Sequence, residues 1–209
     1  MIISLVDGRK FMAKKKKLRV AIQGIATSFH EVAALSYFDE PLDTIECLTF
    51  HELCENLKNS KADYGVMAIE NSIAGSIIAN YSILQDANLQ VAGEYYLPIE
   101  QNLMVLPDVE LEDITEVESH PMALLQCTEY LDARPWRLIE SEDTALSARH
   151  VAEKGLRHTA AVASRLAAEM FGLKIIAPAL TTVKHNYTRL MLLQRSPHRS
   201  PAAAPKAPL

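Results

Sequence analysis

The chain has 209 residues, 49% of them hydrophobic and 22% charged, with a formal net charge of −5. That profile belongs to a globular protein with a sizeable core, arranged as one domain or two small lobes. The negative balance argues against nucleic acid as the main partner, and no apolar run approaches the ~18 residues of a membrane span.

The opening stretch, MIISLVDGRKFMAKKKK, sets apolar residues ahead of its charges, the reverse of a secretory signal. Residues 1–17 therefore read as a flexible leader, with Met12 as an alternative start and Lys14 to Lys17 as a solvated basic run. The three cysteines, Cys47, Cys54 and Cys127, show no CxxC pairing. They read as reduced thiols and set the expected address as cytoplasmic.

LRVAIQG (18–24) reads as a buried strand and SFHEVAALSYF (28–38) as a helix with Ser28 as its N-cap. Backbone N–H groups in the turn between them can cradle a carboxylate. A strand over 44–50 and a helix over 51–60 follow, then the strand DYGVMAIE (63–70). In MAIENSIAGS, Glu70, Asn71 and Ser72 crowd the turn after Ile69, and Gly75 permits close backbone approach before a helix over 75–87. Strands over 89–96 and 99–106 bracket Pro98.

TEVES (115–119) is the next strand, and a helix over 121–131 follows with Ser119 as N-cap and Pro121 in its first turn. Gln126 lies one turn on from Met122. In SEDTALSA, Glu142, Asp143 and Thr144 stand at the entrance of a helix that Asp143 caps and Gly155 ends. Acidic residues there complement the helix dipole. Ser164 and Gly172 bound another helix in the same way. The last ordered segment, VKHNYTRLMLL (183–193), places Asn186, Thr188 and Arg189 at the entrance of a buried strand. An amide, a hydroxyl and a guanidinium there suit a small anion, which Arg grips with a two-pronged fork. The Pro/Ala-rich tail, 196–209, reads as disordered.

Strands alternating with helices mean βαβ units, whose ligands sit at the carboxyl ends of the strands. There is no GxGxxG, P-loop or GxSxG, and the seven histidines form no HExxH pair, so no cofactor or metal is expected.

The segments ENSIAGS, SHPMALLQC, EDTALSA and NYTRL, in that order and spacing, resemble the prephenate dehydratase family, as does the opening IQGIATSFHEVAA. The resemblance covers residues 18–195. It implies an α/β fold of two βαβ-type lobes, similar in shape to a type II periplasmic binding protein, with the active site in the inter-lobe cleft. Residues 18–95 plus 174–195 would form the first lobe and 96–173 the second. The implied reaction is the decarboxylative dehydration of prephenate to phenylpyruvate in phenylalanine biosynthesis, by a homodimer or homotetramer that needs no cofactor. Thr188 is the implied catalytic residue, donating toward the leaving hydroxyl. Asn71, Ser72, Ser119, Gln126, Thr144, Asn186, Arg189 and Ser28 are implied substrate-binding residues, with Glu70 and Glu142 in supporting roles.

Two alternatives stay open. One is arogenate dehydratase, which an acidic side chain aimed at the substrate amine would favour. The other is a non-catalytic binder of an aromatic or keto-acid anion, which has little need of a hydroxyl at Thr188. The chain departs from the family pattern at Ile25 and Thr27, where Pro and Gly are usual, and at Met122, where Gln is usual. It departs again at Leu190, where an aromatic is usual, and at Thr182, where an acidic residue is common. Family members commonly continue into a regulatory ACT domain, whereas this sequence stops soon after Arg195; the expectation is no feedback inhibition by phenylalanine through such a domain.

Overall fold

The computed structural model describes residues 17–196. The expected leader, Lys17 apart, and the tail beyond Ser196 lie outside the described residues.

The chain opens with β1 (Leu18–Gln23), α1 (Phe29–Tyr37), β2 (Leu42–Cys47), α2 (Phe50–Lys58) and β3 (Tyr64–Asn71). The short β4 (Gly75–Ser76), α3 (Ile78–Ala87) and β5 (Leu89–Pro98) follow. The middle of the chain supplies β6 (Asn102–Val105), β7 (Glu116–Ser119), α4 (Pro121–Gln126), α5 (Thr128–Leu131) and β8 (Arg137–Glu140). Then come α6 (Thr144–Lys154), β9 (Thr159–Ala163), α7 (Arg165–Phe171), β10 (Lys174–Ala177) and β11 (Tyr187–Arg195).

These elements build two sheets. The first runs β2-β1-β3-β11-β5, with β4 paired to β3; the second runs β10-β6-β9-β7-β8. In the first, β1 is parallel to β2 and β3, and β11 enters antiparallel between β3 and β5. Each sheet has an apolar cluster on both faces. That is why the central strands read as continuous apolar runs rather than alternating ones. The two-lobed α/β architecture is the one the sequence implies.

Local chemistry sets the helix ends. Asp143 accepts from the Ala145 and Leu146 N–H groups to start α6, and Gly155 closes it at φ 62°. Ser164 and Gly172 bound α7 likewise, with Gly172 at φ 66°. Other boundaries differ from expectation. The strand expected over 44–50 stops at Cys47, because Thr49 accepts from Glu52 N and starts α2 at Phe50. The helix expected from 75 begins at Ile78, because Gly75 and Ser76 pair with Asn71 and Glu70. The helix expected over 121–131 breaks at Cys127, and its N-cap is His120, whose Nδ1 accepts from Met122 N, not Ser119.

The strands β8, β9 and β10 form where no element is expected. β10 corrects the lobe boundary at 174: it pairs with β6 in the second sheet, and Ala177 and Leu180 pack into the second lobe's core. The first sheet instead keeps the chain through Pro98, with Ile99 in its core, and regains it at Tyr187. Two crossings therefore connect the lobes, and they bond to each other through Leu180 N to Gln101 O at 2.7 Å and Ile99 N to Asn186 O at 2.8 Å.

Candidate active site

The carboxyl ends of β1 and β3 and the start of β11 meet at one corner of the first sheet, where Thr188 lies opposite Asn71. Asn71 is the hub. Its Oδ1 accepts from Ile73 N at 3.0 Å and Ala74 N at 2.9 Å, which fixes the other end of the amide as the donor. Nδ2 donates to Asn186 Oδ1 at 2.8 Å and to Thr188 Oγ1 at 3.0 Å, and sits 3.3 Å from Tyr187 O. Thr188 therefore accepts from Asn71, and its own hydrogen has no acceptor among the described residues. The half-buried hydroxyl is left able to donate outward. Ser72 ties the same corner together: its N–H donates to Tyr187 O, and its Oγ donates to His185 O at 3.2 Å and accepts from Tyr187 N at 2.9 Å.

Arg189 does not join this corner. Successive residues of a strand point to opposite faces, so the guanidinium leaves on the side away from the Thr188 hydroxyl. It holds Glu94 of β5 with two bonds, Nε at 3.0 Å and Nη2 at 2.7 Å, and lies 3.6 Å from Glu70. Its pKa is raised, chiefly by the hydrogen bonds to Glu94, and the Glu94 carboxyl is held low by the same bonds. Arg189 and Glu70 thus brace β11 against its neighbours. The expected Arg fork for a substrate carboxylate is already occupied.

The first turn also differs from expectation. Gly24 N donates to Cys47 O, Ser28 N to Ile25 O, Ala26 N to Glu46 Oε1 and Thr27 N to Glu31 Oε2. Four of its N–H groups are therefore spent inside the first lobe, two on carboxylates, and the turn is no free anion cradle. Thr27 sits at φ 75°, a strained conformation for a β-branched residue, and its buried Oγ1 has no partner. Ser28 is buried and caps α1, its Oγ facing Glu31 N at 3.5 Å.

The second lobe meets this turn directly. Ser164 Oγ donates to Thr27 O at 2.8 Å. Asp143, expected only as a helix cap, uses Oδ1 for the cap while Oδ2 lies 3.1 Å from where a side chain on Gly24 would begin. Nothing in the sequence marks that second oxygen, because the approach crosses between lobes.

The remaining expected residues scatter. Ser119 is fully buried and donates to Val162 O at 2.6 Å, so its hydroxyl is spent within the second sheet. Gln126 is buried, and its carbonyl takes Thr182 N. Thr144 is half-buried at the first position of α6, beside Asp143. Glu142 is exposed and lines a separate surface pocket with Glu118, Arg149 and His150; no contact joins it to Thr188 among the described residues. Leu190 is buried in the core of the first lobe, so the departure there bears on packing. A larger surface concavity, bounded by Lys58, Asp86, Gln194 and Arg195, opens at the opposite end of the first sheet and gathers none of these residues.

Two α/β lobes joined by a pair of crossings, with a hydroxyl and amide corner at their junction, define a bilobal α/β protein. The prephenate dehydratase family model matches residues 20–198, and the chain belongs to that family. It is 38% identical over 182 residues to arogenate dehydratase 1 of Petunia hybrida, covering 86% of this chain and 43% of that protein. To the bifunctional chorismate mutase/prephenate dehydratase of Enterobacter agglomerans it is 33% identical over 181 residues, covering 85% of this chain and 47% of that one. The chain thus spans about half the length of the curated relatives it matches.

Among solved structures, prephenate dehydratase from Arthrobacter aurescens in complex with L-Phe is 26% identical with a TM-score of 0.79, covering 87% of this chain and 61% of that one. GqqA, described as a novel type of quorum quenching acylase, is 29% identical with a TM-score of 0.79, covering 88% of this chain and 66% of that one.

Proposed function

We propose that this chain catalyses the decarboxylative dehydration of prephenate to phenylpyruvate and that Thr188 is its catalytic residue. The carrying observation is the direction of one hydrogen bond: Asn71 Nδ2 donates to Thr188 Oγ1, which leaves the Thr188 hydrogen for the substrate. In the reaction the bond from the ring to its carboxylate breaks and carbon dioxide leaves. The released electron pair makes the ring aromatic and expels the ring hydroxyl, which takes up a proton and departs as water. No electrons are exchanged with a cofactor. Thr188 is too weak an acid to surrender its proton, so its part is to donate a hydrogen bond to the oxygen as negative charge gathers there. Asn71 and Asn186 hold that donor in place, with Ser72 fixing the start of β11.

Thr188 has no histidine or carboxylate within hydrogen-bond reach among the described residues, which disfavours acyl transfer through it, the chemistry described for GqqA. The three buried, unpaired cysteines suit a reducing compartment such as the cytoplasm. Among the described residues no helix is long and apolar enough to cross a membrane. A homodimer or homotetramer belongs to the same proposal and is read by sedimentation.

The test is a phenylpyruvate absorbance assay on the parent protein and its Thr188→Ala and Thr188→Ser variants. We expect Thr188→Ala to lose ~100-fold or more in kcat, Thr188→Ser to retain part of it, and both to melt near the parent. A Thr188→Ala variant within about threefold of the parent would remove Thr188 from the chemistry.

A further inference from the structure

We propose that Ser164 is a positioning residue: its hydroxyl clasps the Thr27 carbonyl across the lobes and holds them together, so that bound substrate stays against Thr188. The effect on turnover rests on the dehydratase reading above; the effect on the lobes does not.

Both partners stand at the carboxyl ends of strands, Thr27 in the turn after β1 and Ser164 directly after β9. Ser164 is 3% exposed, and its hydroxyl is used twice. Oγ accepts from Ala167 N at 3.1 Å as the cap of α7, and its one hydrogen goes across to Thr27 O at 2.8 Å. The clasp lies well away from the crossings that join the lobes. In the first sheet β1 stands two strands from β11, roughly 10 Å at about 4.8 Å per strand. A bond on an arm of that length resists rotation about the crossings, which a bond beside them would not.

Thr27 is held so as to present that carbonyl. It is fully buried at φ 75°, a conformation that strains a β-branched residue and persists only where its surroundings impose it. Glu31 Oε2 takes the Thr27 N–H at 2.6 Å, and Thr44 Oγ1 holds the other Glu31 oxygen at 2.8 Å. The residue is thus pinned on its N–H side by the first lobe and meets the second lobe through its C=O. Parted lobes give both Ser164 Oγ and Thr27 O to water, so the bond is close to balanced and reversible. Closed lobes without the donor bury the carbonyl unpaired, which shifts the population toward opening. A residue that only capped α7 would change stability and leave substrate affinity alone.

Ser164→Asp and Ser164→Gly separate the two uses of the hydroxyl. An ionised Asp caps a helix about as well as Ser and cannot donate, and Gly costs little as a cap while removing the donor. Ser164→Thr keeps both functions. We expect KM for prephenate to rise ~5–30-fold in the Asp and Gly variants, with kcat within about threefold of the parent and the Thr variant close to the parent in both. Small-angle X-ray scattering without substrate should give the Asp and Gly variants a larger radius of gyration than the parent, with melting temperatures confirming a folded protein. The proposal is overturned if Ser164→Asp keeps the parent's KM, if kcat falls in place of a rise in KM, or if the radii of gyration are equal. A parent inactive on prephenate overturns the dehydratase reading, and the scattering comparison still decides the clasp.

Discussion

Replacing Asn71 by Asp separates the two jobs that this side chain performs. The new side chain keeps one oxygen where Oδ1 accepts from Ile73 N and Ala74 N, so the turn after β3 retains its bonds. Its second oxygen replaces the Nδ2 donor and faces Asn186 Oδ1 at 2.8 Å and Thr188 Oγ1 at 3.0 Å. Asn186 can answer by turning its amide over, because its own Nδ2 is buried and without a partner, and that rotation converts an orphan into a donor. The net cost is about 1 kcal/mol or less. Thr188 answers by donating its hydrogen to the new carboxylate, a stronger bond than any neutral one. That hydrogen is then lost to the substrate, and kcat should fall ~100-fold or more.

Asn71→Ala is the contrasting control. It strips the partners from Ile73 N, Ala74 N and Asn186 Oδ1 in a corner where Asn71 is only 9% exposed. At the lower part of the ~1–3 kcal/mol range for each of these three groups, as suits a corner that solvent can reach, it should cost about 3–5 kcal/mol and lower Tm by about 10 °C. Thermal melting together with kcat at saturating prephenate reads both effects. Should Asn71→Asp keep kcat within about threefold, or melt as low as Asn71→Ala, the assignment of donor and acceptor at this corner is refuted.

Two further expectations concern stability. Loss of water around the ring lowers the His30 pKa from its ordinary 6.5 to about 4, against the smaller opposing effect of a bond to the Gln23 backbone. Burying the charged ring is therefore penalised, so the fold loses stability, by about 3 kcal/mol at most, as pH falls from 6.5 toward 4. Melting curves between pH 7 and 4.5 should be less steep in pH for His30→Phe than for the parent, and equal slopes would contradict the assignment. Thr27→Gly should raise stability by about 1 kcal/mol, because relief of the left-handed strain and of the buried hydroxyl outweighs the lost methyl contact and the flexibility of Gly. An unchanged or lower Tm would show that the turn carries no such strain.

How much was legible in the sequence follows from how far each inference had to reach along the chain. Caps act within four residues, and Ser28, Asp143 and Ser164 were read correctly as helix starts. His120 was misplaced by one residue, because Ser is the better intrinsic cap; Ser119 had instead been drawn to Val162 O, 43 residues away. Thr188 and Arg189 cannot act as joint ligands, because the twofold period of a strand, legible in the sequence alone, sends them to opposite faces.

Asn71 as hub was beyond sequence reasoning, since its partners lie 115 to 117 residues on. So was Asp143 Oδ2, whose neighbour Gly24 belongs to the other lobe. The strand β9, Thr159–Ala163, carries no strand signal in the sequence, because its TAAVA run is rich in alanine, the best helix former. The residues from 174 fall to the wrong lobe in a reading of the sequence, because a strand of four residues carries no sign of which sheet it will join.

The crossings between the lobes lie beside the Asn186 amide, while the Ser164–Thr27 clasp closes two strands further across the first sheet. Any parting of the halves is then a rotation like that of a book whose spine runs past Asn186. The page edges, at Thr27 and Asp143, travel farthest; the print nearest the binding, at Thr188, scarcely shifts. On the proposed function, a parting of that kind would open the Asp143 side and leave the Thr188 hydroxyl nearly where it stands.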